Sequence, residues 1–199
     1  MMIKDWKGNA KTTFATLGAS NHTDKKRDER DFYATDPIAA EKLLERETFS
    51  RHIWEPACGL LHLSKVFEAH GYTVRSSDIV ARCEGVEEKD FLFFNSEKWD
   101  GDIITNPPFA TAEEFIYKSL ELIPTGNKVA MFLRIQFLEG ANRRKLFDFA
   151  PPQTVYVFSN RVNCAQNGEF TKYMKNSAIC YAWFVWVKGY KGQTTIKWI

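Results

Sequence analysis

Four consecutive residues, Asn106, Pro107, Pro108 and Phe109, offer the most readily named chemistry in this sequence. They follow an apolar run, Ile103-Ile104-Thr105, itself preceded by Asp100 and Asp102. Two prolines fix φ and remove two backbone donors, so the turn is rigid and its carbonyls can face a ligand. The Asn106 side-chain oxygen and the Pro107 carbonyl could both accept hydrogen bonds from one amino group. Phe109 supplies a flat face for a ring. The tetrad therefore reads as a receptor for an aromatic ring with an exocyclic amine, such as adenine. The same four residues also occur by chance as a proline turn ending a strand. Their place after a buried strand favours the functional reading.

A second constellation lies upstream. Glu55-Pro56-Ala57-Cys58-Gly59 joins an apolar run to an amphipathic one and reads as strand end, tight turn and helix start. Asp78, 23 positions after Glu55, ends the next apolar run and is followed by Ile79. An acidic residue there can bind a ribose diol. No G-x-G-x-x-G is present, so a pyrophosphate cradle is poorly supported. S-adenosylmethionine, which has an adenosine and no phosphate, fits better. Asp90 and Phe91 stand at the next strand end. The Asp90 carboxylate could accept from the cofactor's adenine amine, with Phe91 packing nearby. In isolation that pair reads as a surface aspartate and a core phenylalanine.

Strand ends must hold these groups, and the punctuation of the chain supplies them. Asp36 and Pro37 predict a helix start that opens residues 36–47. Strands are predicted at 52–58, 72–80, Ile103–Thr105 and through 128–138, with a short strand or turn at 89–95. Helices are predicted over 61–70, ending before Gly71, and over 111–123, where Thr111 and Glu114 can form a capping box. A further helix over 141–150 is stopped by Pro151 and Pro152, and strands follow at 154–159, 178–187 and 194–199. Strands and helices alternate to residue 150 and strands dominate after it. This predicts an α/β fold: a mostly parallel twisted sheet with one antiparallel strand and helices on both faces. Ligands in such sheets bind at the carboxyl ends of the strands, where these residues fall.

The 199 residues suit one domain with a full core. We expect a polar arm over 1–31, with a charge run from His22 to Asp31, and a single domain over 32–199. Net charge is +2 and does not by itself call for nucleic acid. The opening residues lack the apolar core of a signal peptide, and the longest apolar run, 178–187, has ten residues. The expectation is a cytoplasmic protein of a bacterium or phage-infected cell, off the membrane. Cys58, Cys83, Cys164 and Cys180 form no C-x-x-C pair, so free thiols and no metal are expected.

Glu55–Gly59, then Ser76–Val80, then Lys89–Phe91, then Asn106–Phe109, in that order and spacing, resemble the DNA adenine-N6 methyltransferases, specifically the small enzymes of phages and mobile elements. Asp31–Pro37 resembles the segment before the cofactor loop in that group. Leu133–Gly140, Ser159–Phe170 and Tyr181–Gly189 resemble its later blocks, so the resemblance runs from about Phe14 onward. It implies a Rossmann-like class I methyltransferase fold and direct transfer of methyl from S-adenosylmethionine. Asn106 and Pro107 would hold the adenine N6 amine, Pro108 would stiffen the turn and Phe109 would stack on a base flipped out of a DNA duplex. Glu55, Pro56, Ala57, Cys58, Gly59, Asp78, Ile79, Asp90 and Phe91 would line the cofactor pocket, with Tyr33 and Thr35 at its border. A monomer or homodimer would suffice.

The sequence departs from the family where Leu61 stands in place of a second loop glycine. Leucine tolerates positive φ poorly, at roughly 1–2 kcal/mol. Weak cofactor binding, a shifted loop with Leu61 packed on the sheet, and a catalytically dead copy are the three readings. Arg143, Arg144, Lys145, Arg161, Lys172 and Lys175 could contact phosphates, or form a solvated face. The loop at 160–176 carries Asn163, Gln166 and Asn167, amides suited to adenine edges. Methylation of RNA adenine or of a protein glutamine, and a non-catalytic nucleic-acid-binding relative, remain alternatives. The missing glycine fingerprint disfavours a nicotinamide oxidoreductase.

Overall fold

The computed structural model describes residues 33–93, 98–162, 164–166 and 179–199. The arm expected at 1–31 lies outside them, as do Asn163, Asn167, Lys172 and Lys175. Ten strands and four α-helices are described. They are β1 (Tyr33–Thr35), α1 (Ile38–Leu44), β2 (His52–Glu55), α2 (His62–Ala69), β3 (Thr73–Asp78), β4 (Glu87–Glu88) and β5 (Asp102–Thr105). There follow α3 (Ala112–Leu122), β6 (Lys128–Arg134), α4 (Arg144–Phe149), β7 (Thr154–Val157), β8 (Cys164–Gln166), β9 (Tyr181–Val187) and β10 (Thr195–Trp198).

Eight strands form one sheet in the order β10-β7-β9-β6-β5-β2-β3-β4. Only β9 runs against its neighbours, β6 and β7; the other pairings are parallel. The expected antiparallel strand is thus inside the sheet, not at an edge. β1 and β8 form a separate antiparallel ribbon in which Thr35 faces Cys164.

Alternation along the strands divides the core in two. Trp54, Ile103, Val129, Met131, Leu133, Val155, Phe184 and Trp186 join Phe115, Ile116 and Leu120 of α3 and Leu146 of α4. Ile53, Ile104, Ala130, Phe132, Tyr156, Trp183 and Val185 join Ala39, Ala40 and Leu43 of α1 and Leu63, Val66 and Phe67 of α2. Successive residues of β2, β5, β6 and β9 alternate between the two sets, as a period of two requires of a sheet covered on both faces.

Helix starts depart from expectation in one respect. The Asp36 side chain does accept a hydrogen bond from the Ile38 amide at 3.1 Å. Thr111, however, makes no side-chain cap. A 3-10 turn over Phe109–Thr111 runs straight into α3, and the Thr111 amide donates to the Pro108 carbonyl at 3.1 Å. The backbone thus does the work expected of the capping box. At the entry to β5, a Cβ on Gly101 would lie 2.4 Å from the His52 carbonyl oxygen, so only glycine fits. Among the described residues, no helix is long and apolar enough to cross a membrane.

Candidate active site

The sheet brings the candidate residues to one rim. Glu55 ends β2, Asp78 ends β3, Asp90 follows β4 by two residues and Asn106 directly follows β5. Because β3, β2 and β5 are parallel neighbours, their carboxyl ends open on the same side.

The loop after β2 is built from hydrogen bonds to β3. The Cys58 amide donates to the Ser77 carbonyl at 3.0 Å, and the Gly59 amide to Asp78 Oδ2 at 2.9 Å. Asp78 Oδ1 accepts from the Val80 amide at 3.1 Å and from Arg82 Nη1 at 3.0 Å. Gly59 takes φ +53° and Leu61 φ +65°, ψ +25°. Leu61 is the only described non-glycine residue with positive φ. Its amide donates to the Cys58 carbonyl at 2.8 Å, and its own carbonyl accepts from Lys65 in the first turn of α2. Leucine has therefore adopted the backbone that a glycine would supply. It belongs to neither core cluster, so it does not pack on the sheet.

Glu55 is 2% exposed, and its carboxyl accepts a hydrogen bond from the Ser64 hydroxyl, which lies 2.7 Å from that of Ser76. Burial pushes the Glu55 carboxyl up to about 8, against the lowering effect of Ser64. Cys58 is buried beneath the turn, and desolvation drives its thiol well above the ordinary range. It has the character of an inert core residue. Pro56 is buried and Ala57 half-buried against the core. Ile79 is 62% exposed at the rim. Asp90 Oδ1 accepts from the Leu92 amide at 3.0 Å. Phe91 is buried, its ring 5.2 Å from Trp54 and 4.9 Å from Phe115, which places it in the core below the rim.

The Asn106 tetrad sits against the β1–β8 ribbon. Asn106 Nδ2 donates to Thr35 Oγ1 at 2.8 Å, and Cys164 Sγ is 3.9 Å away. Pro107 is buried and Pro108 exposed. The Phe109 ring lies 6.1 Å from Tyr181 at 26° between planes, with the Arg134 guanidinium 4.7 Å from its centroid. Thr35 is buried, and Tyr33 is described in its backbone alone. Cys164, Tyr181 and Arg134 thus join the site without having been singled out in the sequence. The block similarity at 133–140, 159–170 and 181–189 was the one signal that reached them.

The basic residues are partly committed elsewhere. Arg143 donates to the carbonyls of Gln136 and Glu139 and lies over the Phe137 ring at 4.7 Å. Arg144 pairs with Asp148 at 2.8 Å, and Arg161 donates to Cys180 Sγ. Lys145 is exposed. Phosphate contact through Arg143 or Arg144 would compete with these bonds.

No protein-family model matches the sequence, and no curated protein is significantly similar to it. Solved structures are similar in fold. A protein of Agrobacterium tumefaciens, thought to be an O-methyltransferase, superposes with a TM-score of 0.58 at 12% identity, over 82% of this chain and 85% of its own. A Listeria monocytogenes protein assigned to the class I S-adenosylmethionine-dependent methyltransferases gives 0.56 at 13% identity, over 81% of this chain and 63% of its own length. The type IIG restriction endonuclease BpuSI gives 0.50 at 14% identity, over 79% of this chain and 25% of the endonuclease. With a strand order in which β9 runs backwards between β6 and β7, the chain has the Rossmann-like fold of the class I S-adenosylmethionine-dependent methyltransferases.

Proposed function

We propose that this chain transfers a methyl group from S-adenosylmethionine to the N6 amine of adenine in DNA. The observation that carries the reading is the strand-end cluster. Asn106 and Phe109 leave β5 beside the loop that leaves β2, and that loop is tied to Asp78 at the end of β3.

The residues fit this cofactor on the chemistry of the loop. The Gly59 amide is already paired with the Asp78 carboxylate, so it does not serve a phosphate cradle. An adenosine without phosphates needs no such cradle. Asp78 would hold the ribose, Asp90 the adenine amine, and exposed Ile79 would cover a face of the ring. When bound, the cofactor supplies an electrophilic methyl group on a sulfonium.

The chain's own residues act on the acceptor. Asn106 Oδ1 and the Pro107 carbonyl accept from the N6 amine. These bonds draw the nitrogen lone pair out of the ring and leave it available for methylation. Phe109 stacks on the base. A base inside a duplex cannot reach a pocket at strand ends, so the nucleotide is flipped out. Orientation and pre-set dipoles supply the rate. DNA as the substrate rests on the sequence blocks at 133–140, 159–170 and 181–189. The test is transfer of labelled methyl to duplex DNA, RNA and a glutamine-containing peptide in parallel, followed by digestion and mass spectrometry. N6-methyladenine in the DNA digest is the expected product; label confined to RNA or peptide would overturn the substrate.

A second reading, a nucleic-acid-binding relative without activity, is kept by the strained Leu61 alone. Calorimetric titration with the cofactor separates the two. We expect micromolar binding by the parent and at most about threefold tighter binding by Leu61→Gly, because the backbone already has the glycine conformation. Binding by the variant only would favour the inactive reading.

A further inference from the structure

We propose that Thr35 is a positioning residue for the transfer, fixing which end of the Asn106 amide faces the substrate amine. The proposal rests on the adenine-methylating reading above.

A carboxamide has an acceptor and a donor at opposite corners. Only the oxygen can receive the amine; a turned amide would set donor against donor at the reacting nitrogen. Something must decide the turn, and proline neighbours do not, because they restrict the backbone and not the side-chain torsion. Thr35 Oγ1, 2.8 Å from Asn106 Nδ2, meets the amide on its nitrogen side. Cys164 Sγ, 3.9 Å from the same nitrogen, is a second acceptor on that side. With Thr35 Oγ1 and the sulfur both at this corner, the Asn106 group beside them is the donor. The amide oxygen is thereby directed away from Thr35.

The network is anchored on every side. Thr35 and Cys164 are register partners across the β1–β8 ribbon. Thr35 is 4% and Tyr181 6% exposed, so water competes little for these bonds. Tyr181 stacks on Phe132 at 5.0 Å and lies beside Phe109, over whose ring the Arg134 guanidinium sits. Burial raises the Cys164 thiol to about 11 and so keeps it protonated at neutral pH. The ribbon thus links the segment before the cofactor loop to the residue that meets the base. Its two strands are separated by more than a hundred residues in sequence.

The experiment compares the parent with Thr35→Val and Thr35→Ser. Valine keeps the shape and removes the acceptor; serine keeps the hydroxyl. For Thr35→Val we expect kcat for DNA methylation to fall about 10- to 100-fold, with cofactor affinity within about twofold of the parent. Thr35→Ser should recover most of the rate. A cofactor contact would behave in the opposite way: weaker cofactor binding at unchanged kcat would overturn the proposal, as would an active Thr35→Val enzyme. A second readout does not depend on the substrate. In the parent, the Asn106 side-chain NH2 should show a hydrogen-bonded, slowly exchanging proton by 15N NMR, retained in Thr35→Ser and lost in Thr35→Val. If the parent fails to methylate DNA, the functional reading falls, and the NMR comparison still decides whether Thr35 orients the amide.

Discussion

At the scale of single residues, two costs stand out, and each gives a measurable consequence. Leu61 carries a left-handed backbone without glycine's freedom, at roughly 1–2 kcal/mol. Part of that returns on substitution, because glycine adds entropy to the unfolded chain. Leu61→Gly should therefore raise unfolding free energy by up to about 1 kcal/mol in urea titration. Glu55 is the second cost. Its folded pKa, about 8, lies above the unfolded value, so the folded state holds a proton that the unfolded state releases. Stability should then fall as pH rises from about 4.5 to about 8 and level off beyond, by a few kcal/mol in all. Glu55→Gln should flatten that part of the profile of melting temperature against pH; an unchanged slope would show that Glu55 is not its source. The Asn106 tetrad and Asp78 were legible as single residues because side chains at strand ends advertise themselves. The inward commitment of Glu55 to Ser64 was not, because nothing in E-P-A-C-G tells a carboxyl whether to face a pocket or a helix.

At the scale of elements, Asp102 explains how two flanking segments hold the strand that presents Asn106. Its two oxygens accept from the Ser50 amide at 2.6 Å and the Lys128 amide at 2.7 Å, at the starts of β2 and β6 on either side of β5. Burial pushes the carboxyl up, while those hydrogen bonds pull it down. An asparagine can satisfy only one of the two amides and would turn a donor toward the other. Asp102→Asn should cost about 2 kcal/mol in equilibrium unfolding while leaving the rim residues in place. Most of the strands and helices were readable because each is an apolar run of the right length between turn residues. The β1–β8 ribbon was not. Three-residue strands carry no periodicity, and their pairing partner lies far along the chain. Thr35 was named from the sequence as a border of the cofactor pocket, and its place beside Asn106 was hidden for that reason.

At the scale of the whole molecule, β9 is the keystone of the sheet. It pairs with β6 over seven residues and with β7 over four. Trp183 is fully buried, and its indole N–H donates to the Ala39 carbonyl of α1 at 2.8 Å, pinning a helix to the strand. Trp183→Ala should destabilise the fold by about 3–5 kcal/mol, measured by thermal or denaturant melting, since it opens a cavity and removes the bond that ties α1 to β9. The sequence predicted one antiparallel strand but not its insertion, because a run such as YAWFVWV is apolar at every position and fits any buried slot. The insertion sets the order of spatial assembly against the order of synthesis. A ribosome delivers β6 and then β7 well before β9, yet in the sheet β6 and β7 are joined only by β9. Until Tyr181–Val187 has emerged, the nascent chain holds β6 as an open apolar edge, with β7 beside nothing. The sheet closes by filling a gap, and the half-made sheet exposes an apolar strand edge during translation.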